Sequence, residues 1–217
     1  MLLLVCGASG VGKSTARVHA RRLLDDTYET AELITFGRIP AVPTLSWRQE
    51  RVEAAVLRAI TLEAEGKHLL FAGDPVPLGE ALAAPSADRI DIAACLLDLD
   101  DEAHLARLAR RAEPAELIPF QQGFAAWLRA HATDPGHVTE VITTDAWSEM
   151  RWERWLGRTP APEWAMTVLD TSRLTPEQVG AEIADWCGRA VAGDAPVFRA
   201  GWFRRKGIDP PGGADDP

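Results

Sequence analysis

Apolar residues run along this chain in two rhythms, as short unbroken blocks and as stripes at the helical period. Leu2–Cys6 is a continuous apolar block, the pattern of a strand buried on both faces of its sheet. Similar blocks at His68–Ala72, Ile92–Leu97 and Ala165–Leu169 predict three further strands, and Ala31–Phe36, closed by Gly37, predicts another short one. Striped segments fall between them at Ser14–Leu24, Trp47–Glu65 with Gly66 as its stop, Asp101–Arg111, and Pro176–Cys187 with Thr175 as its cap. Residues 39–46 read as a loop, and 113–157 as helical and irregular, rich in Trp and His and without a clear strand. Strands alternating with helices predict an α/β fold, a parallel sheet covered on both faces. Ligands of such sheets sit at the carboxyl ends of the strands, where Gly7, Asp74, Asp98 to Asp100 and Asp170 to Ser172 all fall.

Composition narrows the class. A chain of 217 residues with 47% apolar and 25% charged positions is an ordinary globular protein, expected as one domain over 1–190 followed by a tail, 191–217, loose from 207 onwards. Its net charge of −9 argues against general nucleic-acid binding, so the cations that hold any anionic ligand must be local. Cys6, Cys95 and Cys187 are far apart and read as buried, reduced thiols. The apolar start is too short for a secretory signal, lacks a basic leader and runs straight into glycines, and no block approaches membrane-spanning length. The expectation is a cytoplasmic protein with no membrane partner. There is no asparagine, and among 23 bases only Lys13, Lys67 and Lys206 are lysines.

One of those three lysines carries the strongest chemical signal. Gly7-Ala8-Ser9-Gly10-Val11-Gly12-Lys13-Ser14 matches GxxxxGK[ST] in full, between a buried strand and a helix, with Thr15 following. Glycines permit the turns that aim successive backbone N–H groups at phosphate oxygens, and the helix start adds its positive dipole end. In this pattern the Lys13 ammonium reaches β- and γ-phosphates, and the Ser14 hydroxyl ligates Mg²⁺. The cofactors expected are therefore ATP and Mg²⁺.

With that loop and this element order, residues 1–190 resemble the small P-loop kinases of the adenylate, shikimate and gluconate kinase and chloramphenicol phosphotransferase type. The resemblance implies a three-layer sandwich around five parallel strands in the order 2-3-1-4-5. It further implies a substrate-binding segment after strand two and a mobile lid after strand four, here an insertion over about 101–157. Other classes are excluded by missing residues: a chain without asparagine cannot carry the Asn-Lys-x-Asp guanine motif of GTPases, and no Ser-Gly-Gly-Gln-type signature is present.

The remaining candidates follow from position. Asp74 ends the third strand, beside the phosphate-loop strand, and is expected to hold Mg²⁺ with Ser14 or to accept the proton of an attacking hydroxyl; the plainer reading is a helix cap before Leu78. Kinases of this type carry an acid just after strand two; the stretch Ile34–Pro40 has none, the nearest being Glu32 and Glu50. Arg38, Arg48 and Arg51 would suit an anionic acceptor, although each alone reads as a solvated helix charge. Arg107 and Arg111 resemble the lid-hinge arginines of adenylate kinases, one lying over adenine and the next touching the transferring phosphate; pairing with Asp101, Glu102 or Glu113 is the alternative. Asp170-Thr171-Ser172 looks like the adenine-bordering turn of gluconate-type kinases. In 117–155, an aromatic stripe is usually core, but Phe124 or a Trp could stack a planar substrate, and His131 with His137 could form a metal pair.

The expected function is ATP- and Mg²⁺-dependent phosphoryl transfer to a small-molecule acceptor, a hydroxyl compound or a nucleotide. Two alternatives stay open. One is a nucleotide-dependent switch ATPase whose partner surfaces would be the Trp-rich segment and Phe198–Lys206; the other is a polynucleotide-end kinase. Nucleic acid is otherwise not expected as a partner, and a homodimer is left open.

Overall fold

A computed structural model describes residues 1–158 and 163–204. Five parallel strands, β1 (Leu2–Cys6), β2 (Tyr28–Ala31), β3 (His68–Ala72), β4 (Ile92–Asp98) and β5 (Thr167–Asp170), form one sheet in the order β2-β3-β1-β4-β5. The central strands are buried along their whole apolar blocks, and β1 pairs with β3 on one side and β4 on the other. Helices α1 (Lys13–Leu23), α2 (Leu45–Ala64), α3 (Leu78–Ala83), α4 (Asp101–Arg110), α5 (Ile118–His131), α6 (Glu140–Thr143) and α7 (Pro176–Ala192) cover both faces. α1 packs on α7, α2 on β3 and α3, and α5 on α4 and β4.

Side-chain caps start α2, α4 and α7. The Thr44 hydroxyl accepts the Trp47 N–H at 3.1 Å, so α2 starts two residues before the apolar stripe suggests. Thr175 and Gln178 cap α7 reciprocally.

The second strand departs from expectation. It spans Tyr28–Ala31, whereas the apolar block suggests 31–36. Past Ala31 the Leu33 N–H is taken by the Asp74 carboxylate at 2.6 Å, and Thr35 Oγ1 accepts the Glu32 N–H at 3.1 Å. These bonds replace the ladder to β3, and Leu33–Phe36 closes as a 3₁₀ turn with Ile34 exposed. The apolar run is thus a buried turn residue, Leu33, with its neighbours, and not a strand.

The region after α7 also differs. Phe198 pairs backbone to backbone with Ile92, and Phe198 and Trp202 are buried against the core. Arg199 and Arg204 reach Asp91 and Asp88 at 2.7 and 2.8 Å. The aromatic residues suggested as a partner surface are therefore core in this part of the chain. The loose tail expected over 207–217 lies outside the described residues. All three cysteines are free and buried. Among the described residues no helix is long and apolar enough to cross a membrane.

The α1–α7 contact makes a prediction with opposite signs at two glycines of one helix. A Cβ on Gly180 would come within 2.4 Å of His19 Cβ and 3.0 Å of the Ala20 nitrogen, whereas Gly188 has nothing within 4 Å. Gly180→Ala should lower the unfolding free energy by roughly 1–3 kcal/mol despite better helix propensity. Gly188→Ala should raise it by up to about 1 kcal/mol. Denaturant titrations of the two variants check both signs.

Candidate functional site

The phosphate loop joins β1 to α1 and forms the floor of a cavity of about 1130 Å³. Gly7 holds φ at 147°, and a Cβ there would lie 2.7 Å from the Leu97 carbonyl, so only glycine lets the loop turn this close to β4. Gly12, at φ 102°, passes the chain into α1 with no side chain capping the first amides. Residues 9–15 line the cavity, while Gly7 and Ala8 lie beneath, their carbonyls accepting from Lys13 Nζ, both at 2.8 Å. Lys13 is buried, and that burial, reinforced by Arg111 and opposed by Asp74, pushes its ammonium down to about 8. Structure therefore brings Asp74 and Arg111 within electrostatic reach of the loop lysine.

Beside Lys13, the Ser14 hydroxyl meets the Gly73 carbonyl at 3.4 Å, at the end of β3. Asp74 follows, its Oδ2 held by Leu33 N–H, with Gly73 and Pro75 on either side lining the cavity. It is not a helix cap: α3 starts after Pro77, with no side-chain cap. Because β2 ends at Ala31, Glu32 is the residue immediately after strand two. A Cβ on Gly73 would lie 2.5 Å from Glu32 Oε2, which places this carboxylate against the carbonyl neighbour of Ser14; Arg17 pairs with its other oxygen at 3.1 Å. A strand over 31–36 would put Glu32 inside it; with β2 ending at Ala31, this nearest acid takes the position just after the strand. The alternation Tyr-Glu-Thr-Ala, typical of a half-buried edge strand, was the available signal.

Of the three arginines considered for the acceptor, one lines the cavity. Arg48 does so, with its Nε on the fully buried Glu80 at 2.9 Å, so it brings a paired charge. Arg51 braces the turn after β2 by donating to the Phe36 carbonyl at 2.8 Å, and Arg38 is exposed away from the cavity lining.

The arginines of α4 take two roles. Arg107 donates to the Val11 carbonyl at 2.9 Å and to both oxygens of Thr171, clamping the phosphate loop to the end of β5. Arg110 and Arg111 stay exposed on the cavity wall. Two of the three acids offered as partners are engaged elsewhere, Asp101 with Arg129 at 3.0 Å and Glu113 with Gln121 at 3.3 Å, and the third, Glu102, is exposed. Thr171 is buried under the turn, bonded to the Asp98 carbonyl, while Ser172 and Arg173 reach the cavity. His104 was not singled out in the sequence; it is fully buried and its Nε2 meets the Ser9 carbonyl at 2.8 Å. His131 is buried with Nε2 accepting the Gly79 N–H, and burial pushes it down to about 4. No cluster of three His, Cys, Asp or Glu able to hold a metal occurs among the described residues.

No family model matches the chain, and no curated protein matches it. Solved structures do. A sugar kinase from Janibacter sp. aligns over 88% of this chain and 96% of its own, with TM-score 0.56 and 18% identity. A gluconokinase from Sinorhizobium meliloti aligns over 88% and 93%, with TM-score 0.54 and 14% identity. The Deinococcus radiodurans tunicamycin resistance protein aligns over 86% and 95%, with TM-score 0.52 and 15% identity. The chain has the fold of the P-loop small-molecule kinases. In this P-loop kinase fold, the strand order and the loop between β1 and α1 place Ser14, Glu32 and Asp74 at the carboxyl ends of neighbouring strands.

The buried lysine predicts an unusual pH dependence of stability. Its folded pKa, about 8, lies below the ordinary 10.5, so the folded state sheds this proton first. At pH 7 the charge costs on the order of 3 kcal/mol. Stability rises with pH from about 8 to 10.5, while only the unfolded chain keeps the proton, and levels off above. Lys13→Met should be about 1–3 kcal/mol more stable than the parent at pH 7, less than the full cost because two carbonyls lose their donor. The gap should close towards pH 10.5, as read from denaturant titrations of both proteins.

Proposed function

We propose that this protein is an ATP- and Mg²⁺-dependent phosphotransferase acting on a hydroxyl of a small molecule. The observation that carries this reading is the charge of the cavity. Lys13, Arg48, Arg107, Arg110, Arg111 and Arg173 line it, and among the described residues of its lining there is no Asp or Glu. A chain of net charge −9 has thus gathered cations over a phosphate loop, which suits a triphosphate and the charge that develops during its transfer.

Residues divide by role. The loop amides and Lys13 bind the β- and γ-phosphates, and the turn at Ser172 and Arg173 borders the nucleotide base. The Ser14 hydroxyl and the Asp74 carboxylate are hard oxygen donors beside Lys13, a set that fits Mg²⁺ with phosphate oxygens and water completing its shell. Bound there, Mg²⁺ would neutralise phosphate charge. Arg111 and Arg110 add positive charge from the α4 wall. The acceptor oxygen attacks the γ-phosphorus, the bond from that phosphorus to the β,γ-bridging oxygen breaks, and ADP leaves. The hydroxyl proton passes to a carboxylate. Asp74 is our first assignment, since Leu33 occupies Oδ2 and leaves Oδ1 open; Glu32 is the second, because it stands just after strand two.

Three measurements test this. ADP should form from Mg-ATP in the presence of a hydroxyl acceptor and not steadily in its absence; steady acceptor-free turnover would count against a kinase. Asp74→Asn, which still accepts from Leu33, should lower kcat by roughly 10²–10⁴. Should Glu32→Gln show that loss instead, the base is Glu32. Binding should also take up a proton above pH 8, because phosphates restore the charge on Lys13. Mg-ATP affinity should be flat below that pH and fall about tenfold per unit above it, which calorimetry in two buffers of different ionisation enthalpy reads directly.

A further inference from the structure

Four rings on α5 lie nearly parallel. Phe120 stacks on Phe124 at 6.4 Å between centroids and 7° between planes, Phe124 on Trp127 at 5.5 Å and 13°, and Trp127 on His131 at 4.7 Å and 13°. Their positions, 120, 124, 127 and 131, make one helix stripe. An ordinary stripe of this kind is buried throughout. This one runs from His131, 1% exposed, through Trp127, 6%, to Phe120 at 68%.

Its inner end is fixed. Gly79 donates its N–H to His131, Trp127 Nε1 donates to the His137 and Val138 carbonyls, and Trp155 and Trp164 meet His131 edge-on. Arg129 holds the same helix to the end of β4 through both Asp98 oxygens, at 2.8 and 2.9 Å. Its outer end is open: Phe120, Gln121 and Phe124 line the cavity above the phosphate loop. Gln121, the uncharged polar side chain of this wall, already donates to Glu113. The wall therefore offers a ring face where a ring-free polyol would require hydrogen-bonding groups. Cations dominate the rest of the lining, with the carboxylates of Asp74 and Glu32 set behind it around Gly73, which disfavours a positively charged ligand.

We propose that the phosphoryl acceptor is a neutral or anionic hydroxyl compound bearing a flat aromatic or heteroaromatic ring, seated on the Phe120–Phe124 stack. This rests on the kinase reading and narrows its substrate class. A stacked ring continues a column that the protein has already ordered, so little is spent on immobilising the platform.

Calorimetry on the full chain without nucleotide tests it with matched pairs: phenyl against methyl β-glucoside, 1-phenyl-1,2-ethanediol against 1,2-propanediol, and uridine against ribose. In at least one pair the ring-bearing member should bind ten times more tightly or better. Phe120→Ser with Phe124→Leu should reduce that preference to near unity; Phe120 is exposed and leucine keeps most of the volume at 124, and a melting curve confirms folding. The Mg-ATP Kd of this variant should stay within threefold of the parent. Equal binding within every pair overturns the proposal, as does a preference that survives in the variant. A Mg-ATP Kd that rises with the substitutions also overturns it, by assigning the platform to the donor's base. Failure of the parent to bind Mg-ATP sinks the kinase reading separately, since ring binding is read without nucleotide.

Discussion

Lys13 Nζ is out of water, bonded to the Gly7 and Ala8 carbonyls, and its ammonium is pushed down to about 8. Carbonyl dipoles alone do not offset what burial removes from an ammonium, so a charge in this position is one that an anion would relieve. The surroundings follow from that demand. Gly7 and Gly12 adopt backbone angles open to glycine so that the loop can curl over the lysine, and α1 begins with its first amides free of side-chain caps. Arg107 and His104 hold the Val11 and Ser9 carbonyls from α4, pointing the outward side of those peptides back into the protein. The stability withheld at Lys13 is the binding energy the loop has available.

Electrostatics extends this logic outward. The chain carries a net charge of −9, yet the cavity wall is cationic, with Arg48 alone tied to a buried acid, Glu80. Acids near the α4 arginines are claimed by other partners: Asp98 and Asp101 by Arg129, Glu113 by Gln121. Among the described residues, Arg110 and Arg111 form no ion pair beside the loop. In a low-dielectric cleft such charges act more strongly on a phosphate than the diffuse negative surface acts against it.

How far the sequence discloses this depends on the range of the forces involved. The phosphate loop is legible because its chemistry is local: glycine angles, a lysine and a hydroxyl at fixed spacing. Central strands are legible because β1 and β4 are buried on both faces and leave unbroken apolar blocks. β2 is an edge strand of mixed character, and its end is set by a contact to Asp74, 41 residues away, which no window of sequence contains. That end decides whether Glu32 lies within the strand or just after it. Arg51 and Arg38 look equivalent to Arg48 in sequence, and only the meeting of α2 with α3 through Glu80 turns Arg48 to the cavity. Phe198 and Trp202 read as exposed because the segment after α7 is rich in Gly, Pro and Asp, yet backbone pairing to Ile92 draws them into the core.

The aromatic stripe of α5 illustrates a different limit. Periodicity shows that Phe120, Phe124, Trp127 and His131 share a face, and packing is the ordinary fate of such a face. What the sequence does not contain is the depth at which the helix crosses the core surface. Asp98 and Gly79 set that depth by seizing Arg129 and His131 near the C-terminal end of α5, and the N-terminal turns are left reaching over the phosphate loop. A helix rooted at one end and open at the other presents a rigid apolar face to the cavity. Hydrophobic burial is not completed within the chain at Phe120, and the surface that would complete it faces the same space as the cationic loop. A ligand that satisfies both walls must carry its ring and its phosphate-receiving oxygen on one molecule.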